Sequence, residues 1–510
     1  MGSNSGWPSG ARRWTAENAW LLALALIVPL VAGAIALFEH FDGLYSPDSF
    51  AYLDYATEPL RHAVAQLDLP PPFFWPPGYP YAAVFASFVV GRGALAAQLV
   101  SLVAAASVPV TTAVLARELW PARDDRGSRS VAPAVAGLLV AFSGQLWQSG
   151  VVVMSDALAL ALATAGAAAL AHYGRSPRLL WPFAGAALLA AAVATRWVYA
   201  LVALPCAAYF VLAALRNGRR AGLHVVASIA VAGLVLGPVL VRVIQEDAFT
   251  GEFAVHHWSA AHIFQRHFTT ADGTFTYRFP SGLYFALAPA SFAYFTPLLA
   301  GLMVVGVVAV LRRLTFRRGL LLLAWPALIY LVLAGGAYQG FRFALPYLPP
   351  LAVLAGIGAE RIAGAVARNR AASVAAATVL VAGLALMAVG GVRLTRDVIS
   401  RKNDGLSVVR WTETNVPQDA RLLTFTLTPT ARHYSDLRPI ELFEQTPPSL
   451  RKLLARDRTL YLLVDVRNIQ TQWRDGPPGR NVAWLRRHAD LTPLGTRAGF
   501  TLFRVDRRAP

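Results

Sequence analysis

Residues 79–91 read YPYAAVFASFVVG. They are apolar, yet thirteen residues fall short of the roughly 20 that a helix needs to cross a bilayer. Whether they cross fixes the side of every later loop. Around them lie eleven longer apolar blocks, near 19–38, 95–116, 131–148, 156–172, 179–195, 197–215, 224–243, 290–311, 319–336, 343–359 and 371–392. Suppose 79–91 stay on one side and the N-terminus is inside. The inner segments then hold eighteen arginines: Arg12, Arg13, Arg117, Arg123, Arg126, Arg129, Arg175, Arg178, Arg216, Arg219, Arg220, Arg312, Arg313, Arg317, Arg318, Arg361, Arg368 and Arg370. The longer outer segments hold seven: Arg61, Arg92, Arg196, Arg242, Arg266, Arg278 and Arg342. Basic residues concentrate in cytoplasmic loops, so this threading is favoured and a crossing at 79–91, which reverses the bias, is not. The segment reads as a re-entrant or juxtamembrane helix, tolerated where its backbone is buried in protein.

Composition agrees. Of 510 residues, 56% are hydrophobic, too many for a soluble domain of this length. The net charge of +18 would suggest nucleic acid in a soluble protein. Outside the tail, however, most of these charges sit in short loops between apolar blocks, so membrane topology explains them and no nucleic acid is implied. Only Lys402 and Lys452 are lysines. The single cysteine, Cys206, excludes an intrachain disulfide or a cysteine metal cluster. The first block follows Arg12 and Arg13 with no small-residue cleavage site after it, and reads as a signal anchor.

These readings give an all-α polytopic membrane protein with juxtamembrane helices. A cytoplasmic N-terminus covers 1–18, a transmembrane domain 19–392, and outer loops about 39–94 and 244–289. Residues 393–510 form a small C-terminal α/β domain outside the cytoplasm. Within it RLLTFTLT (421–428), TLYLLVDV (459–466) and FTLFRV (500–505) read as strands, with helices near 403–414 and 448–456. No internal repeat is visible.

The candidate chemistry lies at outer helix ends. Asp48 sits in YSPDSFAYLDYA, with Pro47 suited to a helix start and Tyr52 one turn later on the same face. Two readings fit Asp48: a general base held at the membrane surface, or the cap of a solvated helix. The following PPPFFWPPGYP (70–80) is interfacial architecture. Asp156, in VVVMSDALALAL, is either a second active-site carboxylate or a residue pairing with its helix dipole. Arg196 (AVATRWVYAL) and Arg342 (AYQGFRFALPYLPP) stand at apolar helix junctions, where an arginine either binds phosphate or snorkels to headgroups. The second loop carries His256, His257, His262, His267 and Arg266. The i, i+5 histidine spacings do not stack ligands on one helix face, so a divalent metal is the weaker reading and a substrate-covering loop the stronger. No cofactor is firmly implied.

The order SPDSFAYL, WPPGYP, MSDALAL and GFRFALPYLPPLAVL resembles the GT-C membrane glycosyltransferases. It resembles especially the family 39-like group, which includes protein O-mannosyltransferases and the aminoarabinose transferases that modify lipid A. The resemblance covers about 19–392. It implies transfer of a sugar from a polyprenyl-phosphate-linked donor to a glycan, lipid or protein acceptor outside the cell (inner) membrane. It matches Asp48 to the first-loop catalytic acid, Asp156 to an acidic position at a later helix start, and Arg342 to a basic residue near the donor phosphate. Many members carry two adjacent acids in the first loop; here the pair is Asp48-Ser49.

A transporter or lipid flippase is the rival class. It predicts inverted repeats and ionisable residues at mid-bilayer, whereas the polar candidates here cluster at outer helix ends.

Overall fold

The computed structural model describes residues 9–120, 130–217, 220–245, 258–456 and 459–508. His256 and His257, Arg123, Arg126, Arg129 and Arg219, and part of the second outer loop therefore lie outside the described residues.

Every expected apolar block is helical, and nine helices among the described residues are long and apolar enough to cross a membrane. Two blocks differ from expectation. The helix expected over 131–148 breaks into Ala132–Ala141 and Gly144–Val151. The break falls on Phe142-Ser143: the Ser143 hydroxyl and the Gln145 backbone N–H both donate to the Ala293 carbonyl, at 3.1 and 2.9 Å. A Cβ on Gly144 would lie 2.7 Å from Gly391 Cα, so glycine permits this approach. The helix expected from 290 starts at Thr296, because 288–295 is a short 3-10 turn and bends.

Helix packing is close where glycines face carbonyls. Helices Thr296–Arg313 and Leu348–Val366 touch through Gly306 against the Leu354 carbonyl and Gly358 against the Leu302 carbonyl. Small residues allow this approach in a membrane, where dispersion replaces the hydrophobic effect as the force between helices.

Contacts sort the polar residues between the two ends of the bundle. At one end Glu118 meets Arg175 (3.2 Å) and His172 (3.2 Å), and Glu360 accepts from Trp120 Nε1 (2.9 Å). Arg117, Arg175 and Arg361, all assigned to inner loops, lie here. At the other end are Asp48, Asp156, Arg196 and Arg342. Residues 78–90 form a thirteen-residue helix confined to this second end. Its first turn holds Tyr79, whose hydroxyl donates to Ala97 O (2.8 Å). Three residues separate its end from the helix Ala94–Leu119, which then runs to the Glu118 end.

The helix that leads out of the apolar bundle, Arg370–Asn415, is 46 residues long and unbroken. The helix expected at 403–414 is its far portion. It leads into a five-stranded sheet of β3 (Arg421–Thr424), β4 (Arg438–Glu441), β5 (Leu460–Asp465), β6 (Ala489–Arg497) and β7 (Phe500–Arg507), in the order β4-β3-β5-β7-β6. β3 pairs in parallel with β4 and β5, while β7 pairs antiparallel with β5 and β6. Leu460 to Val464 are all buried, because both faces of the sheet are covered. Leu422, Tyr461 and Leu463 pack with Val408 and Val409 of the long helix. Leu423, Leu462 and Val464 pack with Leu450, Val482 and Leu485 on the other side. In the second outer loop a hairpin, β1 (His267–Thr270) and β2 (Gly273–Thr276), docks its tip on this domain: Thr274 N donates to Gln472 O (2.7 Å) and Gln472 Nε2 to Asp272 O (2.8 Å).

Candidate active site

Pro47 opens the helix Pro47–Tyr55, placing Asp48 in its first turn. The Asp48 side chain is about one-third exposed and receives a hydrogen bond from Arg342 Nη2 at 3.0 Å. Arg342 stands on the 3-10 turn Phe341–Tyr347 that precedes the helix Leu348–Val366. Its Nη1 donates to the Met154 sulfur (3.2 Å), so the guanidinium is aimed from two sides. Ser49, where many members of the resembling group carry a second acid, is fully buried. A carboxylate there would be stripped of water, a heavy cost without a partner.

Below this pair lies a second one. Asp156 starts the helix Ser155–Tyr173 and is 3% exposed; its Oδ1 is 2.8 Å from Arg196 Nη1. The other oxygen, Oδ2, is buried without a hydrogen-bond partner among the described residues. Tyr52 links the two pairs. It is buried, its hydroxyl donates to Ser155 Oγ at 3.1 Å, and burial first, with Asp156 and Asp48 adding to it, pushes its pKa up to about 12 against Arg196 and Ser155. The phenol therefore stays a neutral donor at physiological pH.

The proline-aromatic stretch 70–80 packs against the same helix. Phe73 stacks on Tyr55 (centroids 4.1 Å apart), and Trp75 and Tyr79 lie 5.0 and 5.2 Å from the Tyr52 ring. Gly78 is needed at this crossing: a Cβ would lie 2.5 Å from Thr195 Oγ1 and 2.8 Å from Ala194 O. Beside this stretch opens a mainly apolar cavity of 860 Å³, with Trp75, Leu158, Leu162, Trp197 and Arg242 in its lining. Arg242 also donates to Pro70 O. A second apolar groove of 490 Å³ shares Leu158 and Leu162 and runs along the helix Ala94–Leu119. Together these are roomy and apolar enough for a long hydrocarbon chain.

The structure thus gathers Asp48, Tyr52, Asp156, Arg196 and Arg342. It leaves Arg266 apart, with an exposed side chain at the foot of the β1–β2 hairpin; none of the described contacts joins it to Asp48. Among the described residues no three His, Cys, Asp or Glu side chains converge as a metal site would require. Sequence reasoning missed several neighbours. Met154 is masked as one more apolar residue. Asp42 accepts from Tyr434 (2.5 Å) and from Lys402, and Lys402 stands out only as one of two lysines. Burial lowers the Lys402 pKa, with Asp42 opposing; burial, then the bond to Asp42, raises that of Tyr434.

No family model matches the chain, and no curated protein resembles it in sequence. Solved structures do resemble it in fold. ArnT from Cupriavidus metallidurans, bound to undecaprenyl phosphate, superposes with a TM-score of 0.62 at 16% identity over 96% of this chain and 98% of that one. The same protein in the apo state gives 0.59 at 16% identity, over 97% and 98%. The oligosaccharyltransferase AglB from Archaeoglobus fulgidus, in complex with an inhibitory peptide and a dolichol-phosphate, gives 0.53 at 12% identity, over 96% and 74%. The chain therefore shares the fold of ArnT and AglB, with its apolar helices, the short helix bearing Asp48 and a C-terminal α/β domain.

Proposed function

We propose that this protein is an inverting glycosyltransferase that moves a sugar from a polyprenyl-phosphate-linked donor to an acceptor on the outer face of the cytoplasmic membrane. The observation that carries the reading is the 3.0 Å pairing of Asp48 with Arg342, one helical turn from Tyr52, whose ring packs on Trp75 of the apolar cavity wall, on a fold shared with a protein solved with undecaprenyl phosphate. Asp48 takes the proton of the acceptor hydroxyl as its oxygen attacks the anomeric carbon. The bond from that carbon to the phosphate oxygen breaks on the opposite face, and its electron pair leaves with the lipid phosphate. Arg342 stabilises the charge that develops there. Once its proton is shared, Asp48 no longer holds Arg342 as a full anion, so the guanidinium is released toward the phosphate as the bond breaks. The cavity and groove take the lipid chain. Asp156 and Arg196 serve as the second carboxylate and second cation, aligning the wall beneath the reacting groups. Arg266, on the second loop, is assigned to the acceptor side. The arginine asymmetry supports a multi-pass inner-membrane protein with residues 393–510 extracytoplasmic.

The test is comparative mass spectrometry of the envelope in the native host. A strain lacking the gene should lose one sugar modification and accumulate a polyprenyl-phosphate-linked sugar. The wild-type gene should restore the modification and Asp48→Asn should not. Identical envelopes with and without the gene would defeat the proposal.

A further inference from the structure

Between the end of the first long helix at Phe38 and Asp48 the chain is irregular, yet it is held at four places. Glu39 pairs with Arg396 (3.5 Å). Asp42 binds Lys402 through Oδ1 and Tyr434 through Oδ2. Tyr45 accepts from Arg401 (3.3 Å). The Gly43 carbonyl accepts from Val153 N (2.9 Å), one residue before Met154, which receives a hydrogen bond from Arg342. Arg396, Arg401 and Lys402 lie on the far portion of the 46-residue helix, and Tyr434 ends the helix Thr428–Tyr434 of the α/β domain. Asp42 is the centre of this set. Its Oδ1 also accepts from Leu44 N (3.0 Å), closing the turn that delivers the chain to Pro47. Lys402 is 8% exposed, and its ammonium lies 5.3 Å from the Phe41 ring and 4.9 Å from the Tyr434 ring.

We infer that Lys402 and Tyr434 are positioning residues for Asp48: the α/β domain, acting through Asp42, sets where the general base stands relative to Arg342. The inference rests on the reading of Asp48 as the base. A buried ammonium with one carboxylate partner cannot drift, because separating them leaves a desolvated charge. Asp42 is therefore a fixed point six residues before Asp48, and the turn and Pro47 between them are stiff. A displacement of the base by about 1 Å is enough to cost on the order of 100-fold in rate. Met154 gives Arg342 a second hydrogen-bond partner besides Asp48, so the carrier phosphate keeps its cation when this contact is lost.

The experiment uses the full chain in lipid nanodiscs and in the gene-deleted host. Tyr434→Phe removes one hydroxyl, Lys402→Met removes the charge, and Lys402→Arg keeps it. Hydrogen–deuterium exchange over 44–56 should rise about tenfold in Tyr434→Phe and Lys402→Met while exchange over β5 stays at wild type. Binding of undecaprenyl phosphate should stay within about twofold, and restoration of the envelope modification should fall. Lys402→Arg should recover part of it. Wild-type exchange over 44–56 in Tyr434→Phe, a variant that keeps the fold even if Lys402→Met does not, would overturn the inference. So would a loss of undecaprenyl phosphate binding in step with the loss of transfer. Full transfer by Asp48→Asn overturns the general-base reading itself. Full transfer by Tyr434→Phe and Lys402→Met beside an inactive Asp48→Asn overturns only the positioning role.

Discussion

Arg342 donates to Asp48 across 3.0 Å although 294 positions separate them in the chain. The pair joins the first-loop helix to the entry of a late spanning helix, and each partner has a distinct consequence when removed. Asp48→Asn keeps size and capping ability. It should fold and bind undecaprenyl phosphate, yet lower single-turnover transfer by about 100- to 10,000-fold, the usual contribution of a general base. Transfer at the wild-type rate would return Asp48 to a capping role.

Arg342→Ala should weaken undecaprenyl phosphate binding, read by titration in detergent, while the protein still purifies folded. Arg342→Lys should recover only part, because a lysine lacks the planar fork that can reach a phosphate and Asp48 together. Unchanged affinity in Arg342→Ala would mean that the side chain serves headgroups instead.

The buried pair Asp156–Arg196 should behave differently from Asp48–Arg342. Breaking it from one side, as in Arg196→Met, leaves Asp156 desolvated and should cost about 3–5 kcal/mol, read as a large fall in thermal stability. Arg196→Met combined with Asp156→Leu should be more stable than Arg196→Met alone. Additive losses would show that the two side chains do not act as a pair.

Gly306→Ala should sharply reduce the yield of folded protein, because the new methyl would run into the Leu354 carbonyl of the neighbouring helix. Gly301→Ala, one and a half turns earlier on the same helix with open space at its Cβ, should be neutral or stabilising by up to about 1 kcal/mol. Size-exclusion profiles of the two variants in one detergent make the comparison.

A periplasm-active reporter fused after Pro510 should be active, and a cytoplasm-only reporter silent. The reverse would overturn the sidedness drawn from the arginines and move Asp48 inside.

The helices were legible because their signal is long: some twenty apolar residues leave few alternatives. β3 (read to 428, although the strand ends at Thr424 and Thr428 opens a helix), β5 and β7 were legible for the opposite reason, as short runs of apolar β-formers. β4 and β6 were not. β4 carries Pro439 and β6 carries Pro493 and Gly495, residues depleted in strands, and both strands lie at sheet edges where those residues are tolerated. The site was legible in its charges. Asp48, Asp156, Arg196 and Arg342 stood out because charge is costly beside apolar helices. How they pair was not, since Asp48 meets Arg342 and Asp156 meets Arg196 only once helix ends distant in the chain have packed. Asp42 and Lys402 escaped because each alone reads as solvated surface.

The 46-residue helix is a rod about 69 Å long at 1.5 Å per residue, against a hydrocarbon layer of about 30 Å. Lys402 stands about 48 Å from the rod's inner end. A tilt of about 5° there would carry the ammonium sideways by about 4 Å, more than the length of a hydrogen bond. Tilt is how a helix answers a change in bilayer thickness. The rod is thus long enough to carry a tilt set in the lipid out to the loop that bears Asp48.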